Sequence, residues 1–469
     1  MQPSLEILYE INRCSDATQR YFHVLQQQNE RLERENKTLR ARLNQTSTNS
    51  SKPPSSNPFI KPRSLRVRSG RKPGGQPGHR GNTLRTSDSP DNTVEHKINT
   101  CPHCQEDLSN TVVVATKARQ VFDVMIVPIV TEHRAEEKNC PNCGQTVVAT
   151  FPQGVDHYIQ YGDTFNAIMI CLNKGHYVPY YRLSQISRDI FGISVSCGTL
   201  VNMVHACGQS LTMSMEHIKN QLRQANVVHF DETGIRLKGK NHWVHTAGNA
   251  QYTYFETHTH RGSAATDEIG ILPEFEGIAV HDFWKSYYNY LCLHAICNAH
   301  ILRELTGITE NFNQEWSGKM KDLLVEIKRQ VDAAGGALSK EKATAFEICY
   351  DDILAFGEQE NPQLHKKKSK KRGRIKQSKA RNLLNRMIQY KADILRFMLD
   401  PSTPFDNNQA ERDIRMVKLF QKISGGFRSK PGNQDFDHIH SYISTAKKQG
   451  MSMFSSLRAA ISGKPLFDQ

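Results

Sequence analysis

Apolar residues recur along this chain with three different periods, and the changes of period divide it. From about residue 5 to 43, Leu25, Leu32 and Leu39 repeat every seven positions, with Phe22, Asn29, Asn36 and Leu43 in the alternate seam position. That is a short coiled-coil pattern. Seam asparagines fix register at some cost in stability, and Glu35 and Arg40 fall where they can pair between chains. The pattern predicts a parallel dimer; the competing reading is an amphipathic helix docked on its own protein. Residues 156–225 carry a helical period. Tyr180 to Ile190, a turn from Phe191 to Ser196, and a helix from Gly198 to about Leu222 predict helix, turn, helix, with Ser196 capping the second helix. A DNA-reading module and an ordinary helical connector both fit that pattern.

At Asn226 the period becomes that of strands. Val227-Val228-His229-Phe230-Asp231 is a short apolar strand ending in an acid, followed by Glu232-Thr233-Gly234. Residues 242–246 and 252–257 predict two further strands, Ala264 to Ile269 a helix, and residues 277–282 a fourth strand ending in Asp282. Three antiparallel strands, a helix and a fourth strand, with acids on the first and fourth, constitute the ribonuclease-H-like layout. Strands one and four then lie side by side, and two carboxylates at short range repel unless a cation lies between them. Two divalent ions about 3.5–4 Å apart can clamp the attacking and leaving oxygens of a phosphodiester. Hard oxygen ligands favour Mg²⁺ or Mn²⁺.

A third acid comes on a helix near the end. Asp406, Asn407 and Asn408 are good helix N-caps. Glu411, Arg415, Lys418 and Lys422 then share one helical face, beside an apolar stripe of Ala410, Ile414 and Val417. One carboxylate followed by three cations suits a metal-holding acid next to a polyanion track; a solvated face laced by i,i+4 pairs is the alternative. Before it, 319–333, 340–356 and 380–399 read as helices of an insertion, interrupted by the basic run His365 to Lys376. After it, helices are expected to brace the site.

Composition adds a partner and a second metal. The 469 residues hold 61 Lys and Arg against 47 Asp and Glu, a net charge of +14, and mean hydropathy is −0.59. That excess points to nucleic acid. Lys61, Arg63, Arg66, Arg68, Arg71, Lys72 and Arg80 crowd into a Ser/Pro/Gly-rich linker, which either follows a DNA backbone or is merely solvated. No run of about 18 apolar residues exists, and no signal layout opens the chain, so a soluble protein, away from membranes and not exported, is expected. Of 11 cysteines, Cys101 and Cys104 form one CxxC pair and Cys140 and Cys143 another. Two such knuckles close a four-thiolate, structural Zn²⁺ site, with the strand-like run Val121 to Val130 expected to form hairpins beneath it.

The chain is therefore divided into a coiled coil (1–45), a basic linker (46–95), a zinc module (96–155), a helical DNA-binding region (156–225), a catalytic core in two parts (226–305 and 400–445), a helical insertion (306–399) and a helical tail (446–469): a multidomain α+β architecture.

The double CxxC, HFDET at 229–233, VHDFWKSY at 280–287, CNAHILREL at 297–305 and FDNNQAERDIRMVKLFQKISGGFRS at 405–429 together resemble the bacterial transposases of the insertion sequence 66 family, over nearly the whole chain. The resemblance implies that Asp231, Asp282 and Glu411 are a DDE triad holding two Mg²⁺ or Mn²⁺ ions. It implies that Lys418, seven positions after the glutamate, contacts DNA, and Arg415, Lys422 and Arg428 are expected to hold DNA with it. Cys297 and His300 resemble a C-x2-H element of structural role. The expected partners are double-stranded DNA (element ends and target), further copies of this chain in a homodimer or larger homo-oligomer, and helper proteins of the same element. The expected setting is the bacterial cytoplasm and nucleoid. Two other readings stay open: a domesticated or inactive transposase acting only as a zinc-containing DNA-binding protein, and a ribonuclease-H-like nuclease without strand transfer.

Overall fold

The computed structural model describes residues 11, 13–50, 78, 84–364 and 375–467. The expectations for residues 5–10, for the linker cations Lys61 to Arg80 and for residues 365–374 of the basic run lie outside them. The first element, α1 (Asp16–Leu43), is one helix over the heptad region. Its seam residues Leu25, Leu32 and Leu39 are 42%, 58% and 54% exposed, and Glu35 pairs with Arg31 one turn back in the same helix, at 3.1 Å.

Both CxxC pairs close the same tight knuckle. The Cys101 N–H donates to the Glu106 carbonyl and Gln105 N–H returns to the Cys101 carbonyl. Cys140 with Gln145, and Gly144 with Cys140, repeat this, all at 2.9 Å. Each turn needs a left-handed residue, supplied by Gln105 (φ +64°) and Gly144 (φ +70°). The second knuckle is the tip of a hairpin of β1 (Glu137–Asn139) and β2 (Thr146–Val148). The run Val121 to Val130 forms no hairpin: it contains no strand and is exposed. Pro128 lies within it, removing a ladder donor where a strand would need one.

The helical region contains α2 (Asp163–Ile170), a π-helical turn (Cys171–Gly175), α3 (Tyr180–Phe191), α4 (Cys197–Ser210) and α5 (Thr212–Arg223). Ser196 caps α4 through its hydroxyl, which accepts the Thr199 N–H at 3.0 Å, and Gly192 ends α3 in the left-handed region. The single helix expected from Gly198 to Leu222 instead breaks at Leu211. That side chain is fully buried against the sheet unit's core, so the chain turns to bury apolar faces on both sides of the break.

The sheet comprises β3 (Val227–Leu237), β4 (Lys240–Gly248) and β5 (Thr253–His258). After α6 (Ser263–Ile269) come β6 (Ile278–His281) and β7 (Leu293–Ile296). Spatial order is β5-β4-β3-β6-β7, with the first three antiparallel and β6 and β7 parallel to β3. The last strand goes beyond the four that the pattern predicts, because four residues with no alternation leave little periodic signal. The chain continues through α7 (Asn298–Phe312) into the insertion: α8 (Glu315–Ala333), α9 (Lys340–Glu360), α10 (Lys379–Gln389) and α11 (Lys391–Leu395). These close a separate core around fully buried Trp316, Met320, Leu324, Tyr350, Leu383 and Met387. The expected helix 380–399 is interrupted at Tyr390 and ends in a 3₁₀ turn, Arg396–Met398.

Three helices finish the described chain: α12 (Asn408–Ser424), α13 (Lys430–Lys448) and α14 (Met453–Ile461). The α13 helix occupies the place of a further strand at the β5 edge. The N–H groups of Thr253, Phe255 and Thr257 donate to Thr445 Oγ1 (3.0 Å), Ser441 Oγ (2.8 Å) and Asp437 Oδ2 (3.0 Å). Four helical residues rise about 6 Å and two strand residues about 6.6 Å, so a polar residue every fourth position matches every outward N–H of the edge. This satisfies donors that an open edge would leave exposed. Among the described residues no helix is long and apolar enough to cross a membrane.

Candidate active site

Pairing geometry brings the first two acids together. His229 lies beside Val280 across the parallel β3–β6 pair, so two more residues along each chain bring Asp231 level with Asp282. Asp231 is not at a strand end as expected. The β3 strand runs on to Leu237 because β4 pairs with it throughout, Thr246 opposite Asp231. Asp282 follows the last residue of β6 and accepts the Trp284 N–H at 2.8 Å. Burial pushes the Asp231 carboxyl well above the usual range, and repulsion from Glu232, Asp282 and, more weakly, Glu411 adds to it. A cation between these groups would relieve that repulsion.

Glu232, next along the strand, points to the opposite face and is 2% exposed. It accepts from Arg261 Nε at 2.7 Å and from the Tyr287 hydroxyl. The Arg261 guanidinium lies 5.0 Å from the Trp243 ring centre and 3.9 Å from that of Trp284. Tyr287 stacks on His281, ring centres 4.7 Å apart. This network underlies both aspartate strands and had no signal in the sequence beyond the residue types.

Glu411 is delivered by a joint at the start of α12. Asp406 lies one residue before the N-cap position and its carboxylate accepts the Asn408 N–H at 3.0 Å. Asn407, expected as a cap, does something else: its amide bonds His229 Nδ1 at 2.7 Å and donates to the Phe230 carbonyl at 2.8 Å, while its N–H meets Cys297 Sγ at 3.1 Å. It is 2% exposed and ties α12 to β3 and to the head of α7. Asn407→Ala would leave buried polar groups on His229 and Phe230 unpaired. About 1–3 kcal/mol of stability should be lost in a denaturant melt.

The Glu411 carboxylate itself faces α7. Arg303 Nη2 donates to Oε1 at 3.2 Å, and His300 Nε2 lies 3.9 Å from the same oxygen. Donor atoms of Cys297, His300 and Glu411 lie within 4.8 Å of one another, the one such group of three among the described residues. Asp231, Asp282 and Glu411 do not form one, nor do the four cysteines of the knuckles. As a soft-metal site the Cys297 group fits poorly. The sulfur is fully buried, burial pushes its thiol up to about 12, it already meets the Asn407 N–H, and a guanidinium occupies the carboxylate. The acids Asp231 and Asp282 fit a hard cation, provided that Glu411 turns from α7 to complete the set.

Of the cations on α12, Arg415 and Lys422 are exposed, as is Arg428 just beyond it. Lys418 is half-buried and donates to the Gly234 carbonyl at 2.7 Å, fastening α12 to β3. Beyond the helix, Gly426 (φ +140°) passes so close to the Arg236 carbonyl that a Cβ would come within 2.5 Å of it. Phe427 then exchanges backbone bonds with Arg236 and Lys238 at 2.8 and 2.9 Å. Sequence reasoning missed Arg303 and the tertiary role of Asn407. Arg303 was within reach, since Cys297, His300 and Arg303 at i, i+3 and i+6 share one face of a helix.

Residues 159–435, more than half of the chain, match the model of the Transposase IS66 family. The chain belongs to that family. The match spans the helical region, the sheet, the insertion and α12, and ends inside α13. Residues 5–85 match a family of unknown function (DUF6444). An uncharacterized protein, y4jO, of Sinorhizobium fredii is 33% identical over 75 residues, which is 16% of this chain and 23% of that protein. The chain thus spans about a quarter of the curated relative it matches.

Proposed function

We propose that this transposase cuts the ends of an insertion sequence and joins them to target DNA with a DDE triad of Asp231, Asp282 and Glu411. The observation that supports it most is the register of β3 and β6, which puts two carboxylates level at the centre of a sheet ordered as in ribonuclease-H-like enzymes, with the Glu411 helix fastened to the same strand. Two Mg²⁺ or Mn²⁺ ions held there would supply the Lewis acidity that phosphodiester cleavage and strand transfer require. The chain's own part is positioning. Strand pairing sets the two aspartates, Asn407 sets the start of the third ligand's helix, and Arg415, Lys422 and Arg428 face solvent where a DNA backbone can run. Replacing Arg415 and Lys422 together by alanine should weaken end binding and reduce the slope of log affinity against log salt by about 2. An unchanged slope in a binding titration would remove both from the DNA track.

The two knuckles are proposed to share one structural Zn²⁺ through Cys101, Cys104, Cys140 and Cys143. Backbone N–H groups of Cys104 and His103 pull the Cys101 thiol below its ordinary value, and those of Cys143 and Asn142 do the same for Cys140. Cys101 and Cys140 are thus already disposed to bind as thiolates. Metal analysis should find one zinc per chain, and none in Cys104→Ser/Cys143→Ser. The exposed leucine seam of α1 is proposed to pair with a second copy, so that both element ends are held in one complex. Metal-dependent cleavage of end DNA by the purified protein tests the whole reading.

A further inference from the structure

We propose that Arg303 is a placeholder cation for Glu411, holding the third carboxylate on α7 until a divalent metal ion displaces it. This rests on the triad reading above and adds a residue that neither the family match nor the motifs assign. The pair is set by rigid parts. The α7 helix leaves β7, the neighbour of β6, and its first N–H (Asn298) donates to the Phe405 carbonyl at 3.0 Å, while Cys297 Sγ meets the Asn407 N–H. The helices α7 and α12 therefore start from one joint, and Arg303 and Glu411 face each other one to two turns along. At 21% and 26% exposure the pair is shielded enough to matter yet open to an incoming ion.

Charge and geometry make the two states exclusive. Glu411 Oε1 accepts from Arg303 and lies near His300, and it is not gathered with Asp231 and Asp282. Rotation about the two staggered torsions of its side chain, χ1 and χ2, can swing the Glu411 carboxylate away from α7. A guanidinium stays charged at all working pH values, so it neutralises Glu411 whenever metal is absent. A doubly charged ion between two aspartates outcompetes it, but the ion must first break the pair. Arg303 is thus a positioning residue that sets the metal concentration at which the triad assembles.

The test is Mn²⁺ binding to the full-length protein, read from the electron paramagnetic resonance signal of free Mn²⁺, with folding checked by thermal melting. Thiolate knuckles do not compete for this hard ion. Arg303→Met should tighten Mn²⁺ binding about two- to fivefold, the scale of a partly exposed ion pair. Arg303→Lys, which keeps the charge, should stay near wild type. In a Glu411→Gln background, Arg303→Met should have no effect. Arg303→Gln, neutral and smaller, serves if Arg303→Met does not fold. Unchanged or weaker Mn²⁺ binding by a folded neutral variant overturns the placeholder role and leaves the triad standing. Wild-type Mn²⁺ binding by Glu411→Gln removes Glu411 from the metal site, and the triad reading with it.

Discussion

Asp231→Asn should lose end cleavage by on the order of a thousandfold or more while binding element ends normally, and should make the metal-free protein more stable. The catalytic loss follows from removing a ligand common to both proposed ions, worth several kcal/mol of transition-state stabilisation at about 1.4 kcal/mol per tenfold. The gain in stability follows from linkage. Burial and three neighbouring carboxylates raise the Asp231 value in the folded protein, so the folded state keeps a proton that the unfolded chain gives up near pH 4. The associated stability is present below the unfolded value and is lost as pH rises through the raised one. Without added divalent ions, the melting temperature should fall across that window in the wild type and stay flatter in Asp231→Asn. Asp282→Asn and Glu411→Gln should show the same catalytic loss with end binding intact. Cleavage at wild-type level by any of the three would exclude that residue from the triad.

Arg261→Ala should be among the most destabilising substitutions in the sheet unit, costing about 3–5 kcal/mol, the usual consequence of leaving a buried charge without its partner. Glu232 is buried under the two aspartate strands and already raised by burial and by Asp282. Arg261 and the Tyr287 hydroxyl act against that rise and favour the carboxylate. The guanidinium also fills the space between Trp243 and Trp284, so its loss removes packing as well as charge. Glu232→Gln/Arg261→Ala should recover part of the loss, because the stranded charge is gone; the non-additivity is the signature of a coupled pair. Equilibrium unfolding followed by tryptophan fluorescence reads both. A cost below about 1 kcal/mol for Arg261→Ala would mean that Glu232 finds another partner or takes up a proton at little cost.

Much of the sheet unit was legible because its elements are strongly patterned. The first four strands, the helix over 263–269 and the apolar stripe Ala410, Ile414 and Val417 all follow from local period, and all are present. Local pattern could not show what depends on distant partners. The β7 strand is too short to have a period, and Asn407 reads as a helix cap until His229 and Phe230 are seen beside it. The run Val121 to Val130 has strand composition but no neighbour to pair with and a proline inside it. The face Cys297, His300, Arg303 was legible as a face, but not as the place where Glu411 rests, because that contact joins segments 108 positions apart. Lys418 fits a DNA track by spacing alone; in the structure its amine bonds Gly234, and its half-burial lowers its affinity for a proton.

The most direct test of the triad is strand cleavage of a labelled duplex carrying an element end, by the purified full-length protein, across a range of Mg²⁺ and Mn²⁺ concentrations and beside Glu411→Gln. Metal-dependent cleavage that leaves a free 3′-hydroxyl at the end, followed by its joining to target DNA, and absent in Glu411→Gln, is the predicted result. Specific end binding without cleavage at any metal concentration, or equal cleavage by Glu411→Gln, would contradict it.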